Sequence, residues 1–489
     1  MDECPGDAMR ILMLGWEFPP FLAGGLGTAC HGLTKALDRL GHEVTFVLPK
    51  AVGDNTSHVK LLGPDKVVRP GGATGDAPAE PSVAPVRPDG SNEPTLPSGA
   101  APGEFRNTRF IEVPAGFSSP YGIYGPGGAP PNEGLSESFL DATGGADTLA
   151  AIWQGTASPF DPEPHEEHGT IGGGGESGTY GKDLFGDSQR YARLVVSLAR
   201  NERFDVIHAN DWLTYPAGLA LRAVSGKPLV AHVHATEFDR SGDHVNQAVY
   251  DIERAGMHGA DRLVVVSQLT KNICVNRYGV DGSKVDVVYN GVDREGVGPT
   301  EGSKIERNDR VVLFLGRITM QKGPEYFIAA AKRVLERMDN VKFLVAGSGD
   351  MALRMIEYAA ALGIGHKVMF TGFLRGRDVE RIFDMADCYV MPSVSEPFGI
   401  AALEAIRHDT PVVVSKQSGA AEVLTHALKV DFWDTEEMAS KIVSVLKYPA
   451  LSQTLRDHGE FELRRLTWDG AAERVTQTYH HAAVSRTDA

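Results

Sequence analysis

Residues 10–49 read RILMLGWEFPPFLAGGLGTACHGLTKALDRLGHEVTFVLP. Arg10–Gly15 is an apolar run ending in glycine, the pattern of a strand buried on both faces of a parallel sheet. A loop rich in proline and glycine follows over Trp16–Gly27. Thr28–Leu40 then carries apolar residues at helical spacing and stops at Gly41, which suits the left-handed conformation that closes a helix. His42–Pro49 is the next strand. Strand, glycine-rich loop, helix and strand open a Rossmann-like domain, whose ligands bind outside the carboxyl ends of the strands.

Beyond Pro49 the pattern breaks. Ala51–Glu104 is dominated by Pro, Gly, Ala, Ser and Asp, and Pro159–Gly181 contains Gly172-Gly173-Gly174-Gly175. Both have little to bury and read as surface loops. Between them Arg109–Val113 has the look of a strand, and Ser136–Gln154 has room for a helix. Order resumes with a helix at Asp187–Arg200 and strands at Phe204–His208, Pro228–His234, Arg262–Ser267 and Lys284–Tyr289. Polar Glu301–Asp309 marks a boundary. A second set of strands follows at Arg310–Gly316, Val341–Gly347, Lys367–Thr371, Asp387–Pro392 and Thr410–Val414. The alternation predicts an α/β chain of two doubly wound, Rossmann-like domains facing across a cleft. Residues 1–300 form the first, with the low-complexity insertion at about 51–186, and 301–465 form the second.

Bulk properties agree with that size. A chain of 489 residues is too long for one core. Hydrophobic content of 42% and charged content of 23% are those of a globular protein. No run of ~18 apolar residues is present to span a membrane, and Met1–Met9 has no apolar run for a secretory signal. Cys4, Cys30, Cys274 and Cys388 are scattered, as reduced thiols of a cytoplasmic protein would be. The net charge of −16 argues against a nucleic-acid partner.

The chemistry-bearing residues sit at strand ends. Arg317 directly follows the strand at Arg310–Gly316, and Lys322 precedes Gly323 and the helix Pro324–Met338. A guanidinium fork, an ammonium and a helix N-terminus are what a diphosphate would meet. Glu396 and Glu404 lie eight residues apart around Pro397-Phe398-Gly399-Ile400. If helical, that spacing advances ~12 Å, roughly the reach from a hexose to a ribose across a diphosphate. An acidic pair at an ordinary helix start would look the same. His234 closes the strand at Pro228–His234, two residues after His232, and is either a sugar contact or a packed imidazole. Asp211 can hold an acceptor hydroxyl, with Trp212 as a sugar platform, or can cap a helix. Glu422 is left open between a donor contact and a structural role. The glycine loop at Ala23–Gly27, with Gly25 at its centre, would let a phosphate or acceptor approach closely. No Asp-x-Asp stands where a divalent ion would bridge a diphosphate, so neither metal nor cofactor is expected.

Taken together, Trp16–Pro20 with the glycine loop, His208–Trp212, His232–Arg240, Gly316–Gly323 and Ser395–Ala405 resemble the retaining GT-B glycosyltransferases of family 4, and among them the bacterial glycogen synthase-like enzymes. The glycine loop departs from the Lys-x-Gly-Gly of related family 5 synthases. The resemblance implies that Arg317 and Lys322 bind the donor diphosphate and that Gly25 lies near the phosphates. It places Glu396 at the donor sugar, Glu404 at the ribose, Phe398, Gly399 and Ile400 on the donor, and His234 against the sugar. Asp211 matches the Asp of the family's His-x-x-Asp-Trp-like stretch. It further implies an ADP-, UDP- or GDP-sugar donor, a glycan acceptor such as an α-glucan, front-face transfer with retention, and a C-terminal helix (466–489) returning to the first domain. A small-molecule or lipid acceptor, and a non-catalytic nucleotide-sugar-binding module, are the alternatives.

Overall fold

β1 (Arg10–Leu14) is the third strand of a seven-stranded parallel sheet in a computed structural model that describes residues 8–19, 24–49, 105–113, 115, 145–157, 184–293 and 309–487. On one side of it lie β2 (Glu43–Pro49) and, at the edge, β3 (Thr108–Val113). On the other lie β4 (Val206–Asn210), β5 (Leu229–Val233), β6 (Arg262–Val265) and β7 (Val285–Val287). The strand order is therefore 3-2-1-4-5-6-7. β4 and β5 are buried at every position, with His208, Asn210 and His232 set among their apolar residues. The second sheet repeats the arrangement with β8 (Arg310–Leu315), β9 (Val341–Ala346), β10 (Val368–Gly372), β11 (Cys388–Met391), β12 (Val412–Ser415) and β13 (Leu428–Val430) in the order 10-9-8-11-12-13. In each sheet the order reverses beside the first strand, between β1 and β4 and between β8 and β11. Such reversals open the crevices in which doubly wound domains bind ligands.

The helix Gly25–Arg39 begins three residues before the expected Thr28 and presents Ala29, Leu33, Ala36 and Leu37 to the core, the spacing of one helix face. Gly41, at φ +87°, takes the left-handed position just beyond it. Gly32 on this helix has no room for a Cβ, which would lie 2.2 Å from the Trp468 ring. Trp468 starts the C-terminal helix Trp468–Thr487, which also meets the first sheet's side of the molecule through Arg39–Asp469 (2.6 Å), His42–Thr476 (3.0 Å) and His208–Tyr479 (2.7 Å). Before that helix the chain runs back against the end of the first sheet. Val292 N–H donates to the Leu466 carbonyl at 3.0 Å, and a Cβ on Gly291 would fall 2.2 Å from the Trp468 nitrogen. The outward and return passages between the two sheets thus touch at one spot.

Most of the insertion lies outside the described residues, as do Leu22 and Ala23 of the glycine loop. Two further features differ from expectation. β13 was not anticipated, because its three residues are too few to show a period. The helix near Glu396 starts only at Ile400, so Glu396 belongs to the loop after β11, and the ~12 Å helical separation from Glu404 does not apply. Among the described residues no helix is long and apolar enough to cross a membrane.

Candidate functional site

The second domain's crevice is built by two loops in backbone contact. Gly323 has φ +62°, and a Cβ there would lie 2.3 Å from the Pro392 carbonyl oxygen. This contact brings the turn after β8, Met320–Lys322, against the loop after β11. Lys322 Nζ donates to Glu396 Oε2 at 2.6 Å, and Ser393 Oγ donates to the same oxygen at 3.0 Å. The Glu396 backbone is fixed at both ends, its N–H to the Gln417 carbonyl (2.9 Å) and its carbonyl to Gly419 N–H (3.0 Å). Glu396 Oε1 takes no hydrogen bond among the described residues and remains as an acceptor. Arg317 reaches Gln321 Oε1 at 3.3 Å from the same turn. Gly399, at φ +103°, caps the helix Ile400–Arg407; the Ala402 amide donates to the Gly399 carbonyl (3.1 Å), while the Ile400 and Ala401 amides take no backbone partner among the described residues. Glu404 sits one turn along, half-buried, and burial raises its carboxyl against the pull of Arg407 and His408.

The first domain supplies a facing set. Asp211 follows β4 in a left-handed conformation (φ +59°), and its Oδ1 accepts from the His234 (2.7 Å) and Ala235 (3.4 Å) amides. Burial lifts its carboxyl to about 6, with Arg240 pulling the other way. Asn210 Nδ2 donates to the Leu14 carbonyl at 2.9 Å, which turns Asn210 Oδ1 toward His234 Nε2 at 3.0 Å. Nε2 therefore carries the proton, and His234 Nδ1 is a lone-pair acceptor with no partner among the described residues. Behind it His232 stacks at 3.9 Å, His232 Nδ1 lies 3.2 Å from His208 Nε2, and His208 meets Tyr479. Burial drives His234 down to about 3 and His208 to about 4, so both imidazoles are neutral at physiological pH.

Glu17 follows β1 on the other side of the same crevice and is 2% exposed. Its Oε1 has no partner among the described residues, and a Cβ on Gly24 would lie 3.2 Å from Oε2. Burial raises its carboxyl to about 7, with Arg317 of the second domain lowering and Asp211 raising it. Sequence reasoning gave Glu17 no role of its own. The available signal was its place directly after β1, at the order reversal. Because its folded value is raised, Glu17 contributes stability that is full below the unfolded value of 4.5 and is lost as pH rises through about 7. Glu17→Gln stays neutral throughout. Its unfolding free energy relative to the parent is expected to improve by ~3 kcal/mol between pH 4 and pH 8, at 1.36 kcal/mol per pKa unit. Denaturant titration at the two pH values checks this, and a pH-independent difference would contradict it.

Two contacts join the domains across the crevice. Ser395 Oγ donates to Asp239 Oδ1 at 2.5 Å, while Asp239 closes the start of the helix Glu237–Ser241 with Thr236. Glu422 accepts from the Gln268 (2.8 Å) and Leu269 (2.7 Å) amides at the start of the helix Gln268–Tyr278 and from the Tyr289 hydroxyl (3.0 Å). Glu422, left open by the sequence, is thus occupied in joining the halves.

The structure therefore brings together Arg317, Lys322, Glu396, Gly399 and Glu404 on one side and His234, Asp211 and Glu17 on the other. Gly25 is the first residue of its helix, and a Cβ there meets nothing within 4 Å. Four residues need correction. Trp212 is 3% exposed and packs against Phe185 in the core, so it cannot serve as a sugar platform. Phe398 and Ile400 also turn their side chains into the core, Phe398 toward Tyr289, which leaves only their backbone for a ligand. Asp211 uses its carboxylate on the His234 loop, a positioning role.

Comparison with known proteins identifies the family. Residues 300–460 match the model of glycosyl transferases group 1, 156–295 that of glycosyltransferase family 4, and 10–68 that of the starch synthase catalytic domain. An uncharacterized glycosyltransferase of Methanocaldococcus jannaschii is 31% identical over 57% of this chain and 75% of its own length. A glycogen synthase of Mycobacterium tuberculosis is 26% identical over 96% of this chain and 94% of its own. Among solved structures, sucrose-phosphate synthase of Thermosynechococcus elongatus superposes with a TM-score of 0.65 at 18% identity, covering 96% of this chain and 98% of its own. Anabaena HepE in complex with UDP and glucose gives 0.59 at 16%, covering 96% and 99%. The chain belongs to the glycosyltransferases of family 4, on a GT-B fold built from two facing Rossmann-like domains.

Proposed function

We propose that the protein transfers a hexose, glucose in the first instance, from a nucleoside diphosphate sugar to a glycan hydroxyl with retention at the anomeric carbon, as in α-glucan elongation. The observation that carries this reading is the Lys322–Glu396 pair beside Arg317, at the second domain's crevice, with the buried Nδ1 of His234, unpartnered among the described residues, on the first domain's side. Arg317, Lys322 and the amides that open the helix Ile400–Arg407 take the diphosphate. Their charge is most valuable as negative charge grows on the leaving group. Glu396 Oε1 and His234 Nδ1 both accept, so each suits a donor-sugar hydroxyl, and Glu404 suits the ribose. Glu396 Oε2 is engaged by Lys322 and Ser393, which favours orientation over covalent attack. The acceptor enters from the first domain's side, and its proton passes to the departing phosphate. Two cations and a helix start do the work for which other transferases use a metal.

Support for glucan as acceptor comes from the glycogen synthase that is similar over 96% of this chain. The second reading, a small phosphorylated acceptor, is favoured by the D-inositol 3-phosphate glycosyltransferase of Rhodococcus opacus, 29% identical over 60% of this chain and 71% of its own length. The deciding experiment offers ADP-, UDP- and GDP-glucose with glycogen, maltooligosaccharides and inositol phosphate, and reads the product linkage by NMR. Elongation of glucan with an α-linkage is expected. An inverted product, or transfer to inositol phosphate alone, would reject the reading.

A further inference from the structure

We infer a second ligand site, for the phosphate monoester of a sugar-sized molecule, where the chain crosses between its domains. A cavity of about 380 Å³ opens there, within the range of small-molecule sites. Its walls include Leu466 and Thr467 of the return passage, together with Tyr289, Phe461, Arg465 and Arg474. None of the residues given a role with donor or acceptor lines it.

The cavity wall carries two guanidinium groups. Neither Arg465 nor Arg474 forms an ion pair among the described residues, although the protein carries a net charge of −16 and carboxylates are plentiful. The one carboxylate in the wall, Glu462, is committed elsewhere, its Oε1 accepting from the Thr425 amide (2.8 Å), the His426 amide (3.1 Å) and His426 Nδ1 (2.8 Å). Arg465 lies over the Phe461 ring at 5.4 Å, which holds the guanidinium in place. Two such groups around one small cavity suit a phosphate, because each offers a planar fork of donors to its oxygens. The exposed Phe461 ring offers an apolar face on which the carbon skeleton of a sugar can lie. Tyr289 joins the cavity to the first domain and donates to Glu422 of the second, so an occupant touches both the crossing and the contact that joins the halves.

Calorimetric titration of the full chain with a hexose 6-phosphate, and separately with inorganic phosphate, tests the site. Saturable binding of the ester is expected, weakened at least tenfold in the double variant Arg465→Gln/Arg474→Gln and unaltered in Lys322→Ala, whose lesion lies in the donor crevice. Both arginines are exposed, so the double variant should fold, and its turnover without added phosphate should equal the parent's. Absence of binding, binding that survives the double variant, or loss in Lys322→Ala would overturn the inference. Inorganic phosphate binding as tightly as the ester would overturn the assignment to a sugar phosphate.

Discussion

Replacing Lys322 with alanine is expected to lower kcat by about 10²–10³-fold, the loss seen when one preorganised donor is taken from developing negative charge. The same change should weaken nucleoside diphosphate binding. The side-chain ammonium is largely buried and lies 2.6 Å from Glu396 Oε2, so its removal also strands a carboxylate. A stability loss would confuse the result, and the double variant Lys322→Ala/Glu396→Gln separates the two effects. It should regain the parent's unfolding midpoint and stay at least as slow as Lys322→Ala. Recovery of turnover in the double variant would show that Lys322 serves only to neutralise Glu396, and normal turnover in Lys322→Ala would show that Lys322 has no part in transfer.

Glu396→Gln makes the opposite split. With the carboxylate gone, Lys322 no longer has to be drawn away from an ion pair when the diphosphate arrives. Nucleoside diphosphate affinity should therefore hold or improve, while turnover falls about 100-fold or more, because the sugar loses a charged acceptor placed by Ser393, Gln417 and Gly419. Initial rates with saturating donor, together with titration of the free diphosphate, measure both. A loss of affinity with turnover at saturating donor unchanged would mean that Glu396 acts on binding alone.

How legible these residues were depended on what they rest on. Arg317, Lys322 and Glu396 could be placed from sequence because each follows an unmistakable apolar strand, and strand ends in a doubly wound sheet face the crevice. Glu17 obeys the same rule after β1, yet nothing in its neighbours marks a carboxylate that loses its water. Its character comes from burial and from Arg317 some 300 positions away in the sequence. Trp212 was misread for a related reason. An aromatic beside an acidic residue at a strand end looks like a sugar platform, and only the packing of Phe185 from the preceding helix shows that its ring is enclosed. Glu422 and Asp211 satisfy backbone amides that are distant in sequence, and no local pattern records such contacts. The orientation of His234, with Nδ1 left as acceptor, follows from a chain through Asn210 to the Leu14 carbonyl, a tertiary fact from its first link.

The meeting of Val292 with Leu466 acts as a fulcrum. Two passages of chain that touch at one spot favour rotation about that spot over translation. At a radius of ~20 Å, set by domains of this size, a rotation of about 10° displaces the far loops by roughly 3.5 Å, about the length of one hydrogen bond. Ser395 and Asp239, 2.5 Å apart here, would separate within such a swing, while Gly291, pressed against Thr467 and Trp468, would barely move. A single fluorescent pair across the crevice should therefore report the whole motion, and a bulkier residue at position 291 should wedge the pivot itself.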